Sequence, residues 1–237
     1  LRALWIKVPE PRGLKIRAGD APALFTMIEE LRNKLGVPGF QHVLLNNEFN
    51  ASVVQVPRFG LFGGSRNFLT IGLPLLKGTT EAQARAVLAH EFGHLSRNHA
   101  KVGNWVYRQR LRWARLAQAF EESGQSGGVL FTPFLKRFLP YFNAYSFPLA
   151  RANEYEADAI SAQLTDPGTT ADALTSVYAV GQFLDESYWP GIYARASQQP
   201  APDVEPLQDM PDAIHSVSGE RWQRWVAAAM AQASSLG

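Results

Sequence analysis

Apolar residues recur at helical spacing between Ala21 and Leu35, where Leu24, Ile28, Leu31 and Leu35 form a stripe that Gly36 and Pro38 end. Residues 43–45, 51–56 and 68–73 are short apolar runs that predict strands, separated by Asn46-Asn47 and by the glycines of residues 59–64. Thr80 with Gln83 three residues on has the capping-box pattern and opens a helix running to about Asn98. Residues 103–122, 151–164 and 171–186 read as further helices, and 220–233 as a final amphipathic one. Glycines in 124–128 predict a flexible break, 129–149 is aromatic-rich and interrupted by proline, and 198–211, with four prolines, predicts a long loop. Residues 1–20 are basic, punctuated by Pro and Gly, and read as an entry strand or linker. Few strands and many helices, unevenly segregated, predict an α+β domain.

Composition narrows the chemistry. The 237 residues, 46% hydrophobic, suit a single domain over 1–237 and exclude a disordered chain. The absence of cysteine excludes disulfide scaffolds, thiol nucleophiles and Cys-ligated metals, so a metal here must be held by carboxylates and the five histidines. A formal net charge of +2 hides a split: 20 Lys/Arg face 12 Asp/Glu over residues 1–158, and 3 face 9 over 159–237. Arg97, Lys101, Arg108, Arg110, Arg112 and Arg115 alternate with Trp105, Tyr107 and Trp113 inside a basic, aromatic insertion at 95–150. That pattern predicts contact with a membrane surface or with membrane helices; a solvated helix with core tryptophans is the competing reading. Nucleic acid is not expected, because no binding motif accompanies the charge. No apolar run reaches the roughly 18 residues of a membrane span. The start at Leu1 leads us to expect a fragment of a longer, membrane-associated protein.

The decisive motif is His90-Glu91-Phe92-Gly93-His94. A helix puts residues i and i+4 on one face, so both imidazoles can reach one ion. Glu91 lies about 100° round the helix, where it can take a proton from a metal-bound water. A catalytic zinc needs a third ligand and an open position. Arg151-Ala152-Asn153-Glu154-Tyr155-Glu156-Ala157-Asp158 supplies candidates: Glu154 and Asp158 share a helix face, with Arg151 one turn before them, and spacing does not choose between the two carboxylates. Tyr155 reads as a packing residue. His42 and His99 read as structural, His99 being about 140° round the helix from His94.

These two motifs resemble those of the HtpX-like and CAAX-prenyl-protease-like zinc metallopeptidases, gluzincins that are mostly membrane-bound. The resemblance implies a mainly helical, zincin-like fold with a small twisted sheet, and one Zn2+ per chain held by His90, His94 and Glu154. It further implies Glu91 as the base and Asp158 as the residue that orients a ligand imidazole. Asn50-Ala51 matches the family's Asn-Ala element beside the cleft, which implies a substrate-binding role. Many members carry His-Pro followed by Arg as transition-state groups; His215 with Arg221 has similar spacing, but Ser216 stands in place of the proline. Members commonly carry a hydrophobic hairpin between the two motifs, whereas residues 95–153 hold no full membrane span.

The expected function is a zinc-dependent endopeptidase acting on extended or unfolded polypeptide, membrane-associated with its peptidase domain on the cytoplasmic side. The alternative is a non-catalytic zinc-binding module that holds polypeptide; the intact Glu91 counts against it, since such a module needs no base.

Overall fold

The computed structural model describes residues 10–57, 65–96, 128–198 and 205–235. The expected helix at 103–122, the basic and aromatic residues from Arg97 to Arg115, His99, the whole 59–64 turn and most of the 124–128 break lie outside them. Four strands are described: β1 (Leu14–Ile16), β2 (His42–Asn46), β3 (Ala51–Pro57) and β4 (Ser65–Gly72). The helices are α1 (Pro22–Leu35), α2 (Leu73–Gly78), α3 (Glu81–Gly93), α4 (Gly128–Leu164), α5 (Pro167–Phe183), α6 (Trp189–Gln198), α7 (Pro206–His215) and α8 (Gly219–Ser235), with a π-helical turn at Leu184–Tyr188 between α5 and α6. The result is a mainly helical α+β fold around a small mixed sheet.

The sheet order is β1-β2-β4-β3, with β2 and β4 parallel and the outer pairs antiparallel. Among the described residues β3 therefore forms an edge. Gly72 N–H donates to the Asn50 carbonyl at 2.8 Å. Antiparallel alternation then turns the backbone of Ser52 and Val54 toward β4, and that of Ala51, Val53 and Gln55 toward the free edge. Gln55 also donates to the Asn67 side chain at 3.0 Å, fastening β3 to its neighbour.

One core lies between the sheet and helices α1 and α3, centred on Ile28, Leu31, Leu69, Ile71, Leu88 and Phe92. Each such side chain, removed from water, contributes about 1.5–3 kcal/mol. A second cluster joins α5, the π-helical turn, α6, α7 and α8 through Val180, Leu184, Met210 and Trp225. Phe49, between β2 and β3, packs against both.

α3 begins at the expected capping box: Gln83 N–H donates to the Thr80 hydroxyl, and Thr80 N–H to the Gln83 side chain. Its buried positions are mostly small, including Ala86, Ala89 and Gly93, which lets α4 lie close. A Cβ on Gly93 would stand 3.2 Å from the Ala157 Cα. One turn of α4 further on, the buried Ser161 donates to the Ala86 carbonyl at 2.8 Å.

Several expectations are corrected. α4 is one 37-residue helix that runs through Pro133, Pro140 and Pro148, where the sequence predicts an interruption. Pro140 and Pro148, eight residues apart, fall on one side of the helix. Both Pro140 and Pro148 are exposed, so water can reach the carbonyls they leave without a helical partner. The strand expected at 68–73 spans 65–72, and Leu73 already opens α2. Within the loop expected at 198–211, Pro206 starts α7, a position in the first turn that a proline suits. Met210, fully buried in the second cluster, anchors that helix. Among the described residues, no helix is long and apolar enough to cross a membrane.

Because α3 and α4 touch at Gly93, Gly93→Val is expected to force them apart at a cost of about 1–3 kcal/mol. A urea titration checks this: the midpoint should fall with the slope unchanged.

Candidate metal centre

The last turn of α3 carries His90 and Glu91, and His94 caps the helix. The two imidazoles stand edge to face, at 89° with centroids 4.8 Å apart, and their Nε2 atoms are 3.2 Å apart. Glu154 Oε2, from α4, lies 3.4 Å from His90 Nε2 and 3.5 Å from His94 Nε2. Asp158 approaches His90 from behind, with Oδ1 2.9 Å from Nδ1. A ring that donates from Nδ1 to this carboxylate presents its Nε2 lone pair to the other two groups.

The donor separations test whether a metal fits. Distances of 3.2, 3.4 and 3.5 Å are edges of a tetrahedron whose centre is about 2.0–2.1 Å from its corners, the length of zinc–imidazole and zinc–carboxylate bonds. His90, His94 and Glu154 are a group whose ligand atoms could hold one ion, and their nitrogen and oxygen donors suit zinc. The residues fit the metal.

Charge is concentrated here. Burial lowers the His90 pKa, but hydrogen bonds to Asp158 and Glu154, and the charges of Glu91 and Asp158, outweigh it and raise the pKa from 6.5 to about 10. Hydrogen bonds from His90 and His94 hold the Glu154 carboxyl well below the usual range. Burial pushes Glu91 up, opposed by the charges of His90 and His94 and by the Val53 N–H on the free edge of β3.

The structure does not bring every candidate to this place. Asn50 ends the β2–β3 turn, and the Ala51 side chain is buried in the core while its backbone faces the edge of β3. His215 bonds the Pro211 carbonyl at 2.7 Å. It lines a cavity of about 480 Å3 with Thr80, Gln83 and Trp222, at the other end of α3 from His90. Arg221 donates to Ser187 at 2.6 Å and lies over Trp225. His42 sits in β2 beside Lys15, away from the centre. Tyr155 is exposed rather than packed, and its hydroxyl receives the Arg151 guanidinium. Two contributors are absent from the sequence reading. Val53 acts through its backbone, which side-chain pattern does not reveal; Gly93, inside the first motif, signals close approach only once the partner helix is known.

A family model described as peptidase family M48 matches residues 20–216, a span containing both motifs. No curated protein and no solved structure gives a match.

In metal-free protein His90 is expected to titrate near pH 10, and Asp158→Asn to bring it back toward 6.5, as read by histidine NMR. A folded pKa above the unfolded one stabilises the chain fully below about pH 6.5, and that contribution is lost as pH rises through about 10.

Proposed function

The chain belongs to peptidase family M48, a family of zinc metallopeptidases, and from that premise we propose that it is a zinc-dependent endopeptidase with His90, His94 and Glu154 as ligands, one Zn2+ per chain, and Glu91 as the base. The triangle of donors with 3.2–3.5 Å edges carries the reading. When bound, zinc supplies a Lewis acid that acidifies water and polarises a carbonyl.

The chain's own residues do the rest. Glu91 takes a proton from the attacking water and delivers it to the leaving amine. Its raised pKa strengthens it as a base, while the Val53 N–H of β3 favours its charged form. Asp158 fixes the orientation of His90. The free edge of β3, with the outward backbone groups of Ala51 and Gln55 and the Val53 carbonyl, can take an extended polypeptide as an added strand, entering beside Asn50. That mode favours unfolded or extended substrates. Membrane association on the cytoplasmic side is a proposal resting on the basic and aromatic residues from Arg97 to Arg115 and on the resemblance to membrane-bound enzymes. His215 and Arg221 keep no part in the chemistry proposed, given the contacts they make elsewhere.

The test compares wild type with Glu91→Gln for zinc content and for cleavage of casein. Zinc content is expected to be equal, with kcat/KM lowered about 100- to 10,000-fold in the variant. Chelation should abolish wild-type cleavage and added zinc restore it. Equal zinc with no cleavage by either protein would favour a polypeptide-holding module.

A further inference from the structure

Arg151 precedes Glu154 by three residues on α4, a spacing at which an arginine and a glutamate ordinarily pair. Here they do not. Glu154 Oε2 is turned to His90 and His94. The Arg151 guanidinium instead donates from Nε at 2.9 Å and from Nη2 at 2.7 Å to the Tyr155 hydroxyl, with its carbon 5.4 Å from the ring centre.

The neutral partner matters. Arg32, Arg66 and Arg85 are each neutralised by a glutamate, whereas Arg221, like Arg151, meets a hydroxyl and an aromatic ring instead. Arg151 has no ion pair among the described residues; a phenol holds two of its donors and leaves its charge intact. A guanidinium offers five N–H groups in a rigid fork, so three are left unused by the phenol. Arg151 is half-buried and stands one turn from the metal group. The neighbouring carboxylates, Glu91, Glu154 and Asp158, are all engaged with the histidines or the metal site.

Building on the peptidase reading, we propose that Arg151 is a specificity-determining residue that receives a carboxylate of the polypeptide substrate. The carboxylate belongs either to an Asp or Glu side chain or to the chain's C-terminus. Arg151 and Glu154 are separated by about 4.5 Å along the helix axis, and an extended chain advances about 3.3 Å per residue. The recognised group therefore lies within about three residues of the bond that is cut. Tyr155 is a positioning residue, keeping the fork ordered before substrate arrives.

The full zinc-loaded chain is incubated with a peptide library, once with free C-termini and once amidated, and the products are sequenced by mass spectrometry. Wild type is expected to enrich Asp and Glu roughly fivefold at one position near the cut. Arg151→Gln should erase that enrichment, Arg151→Lys retain part of it, and Arg151→Glu transfer it to Lys and Arg. Asp and Glu enrichment that is the same in both libraries assigns the site to a side chain; cuts gathered within about three residues of a free C-terminus and dispersed by amidation assign it to a terminal carboxylate. Neither acidic enrichment nor cuts gathered near a free C-terminus in wild type, or a preference that Arg151→Gln leaves intact while slowing all cleavage, overturns the proposal. A second arm does not depend on cleavage: zinc-loaded Glu91→Gln is titrated with fluorescent decapeptide pools that carry one fixed Asp or one fixed Asn. Tighter binding of the Asp pool, lost when Arg151→Gln is added, supports the carboxylate site even if no peptide is cut. Equal binding of the two pools, unchanged when their C-termini are amidated, overturns it and leaves Glu91-dependent cleavage standing.

Discussion

At Gly93 the backbone of α3 comes so near α4 that one added carbon would stand 3.2 Å from the Ala157 Cα, and the metal centre depends on that approach. His90 and His94 belong to one helix and Glu154 to the other, so the distance between axes fixes the donor triangle. Ala86, Ala89 and Gly93 remove bulk on one side and Ala157 on the other. The Ser161 bond to the Ala86 carbonyl adds a directional tie two turns from the ligands. A larger residue at the crossing would widen the triangle beyond what one ion can span.

The same closeness creates the electrical character of the centre. Three carboxylates and two imidazoles share a partly buried space, and their surroundings shift the ionisation of His90, Glu91 and Glu154. Glu154 stays charged because two imidazoles donate to it; His90 favours its charged form because Asp158 and Glu154 surround it. Such a cluster has an excess of negative charge that a divalent cation relieves. Glu91 differs from Glu154 in being held mainly by burial, which keeps its proton affinity high while that of Glu154 is suppressed. One environment thus yields ligands and a base from the same side-chain type.

The first motif was legible in the sequence because its geometry is local: four residues of helix suffice to align two rings, and Thr80 with Gln83 marked where that helix begins. Glu154 and Asp158 were not separable by spacing, since both lie on one face of α4. Only the axis of α3, a tertiary quantity, turns Glu154 to both imidazoles and leaves Asp158 behind one of them. Pro140 and Pro148 signalled a break locally, yet α4 passes through them, their exposed side leaving the carbonyls to water. Met210 shows the converse, since a buried methionine makes a helix of a segment whose prolines advertised a loop. Val53 contributes a backbone N–H, and no side-chain pattern encodes which N–H groups a sheet leaves outward.

The edge position of β3 also bears on solubility. A strand with its outward amides exposed invites a second copy of the same protein to zip onto it, the ordinary route to aggregates. Here the ladder is interrupted at its middle, where the Glu91 carboxylate meets the Val53 N–H. A permanent partner strand would have to displace that charge and bury it without compensation, whereas a short visitor gains the remaining contacts and leaves. The carboxylate placed for chemistry thereby also keeps the edge from becoming a seam.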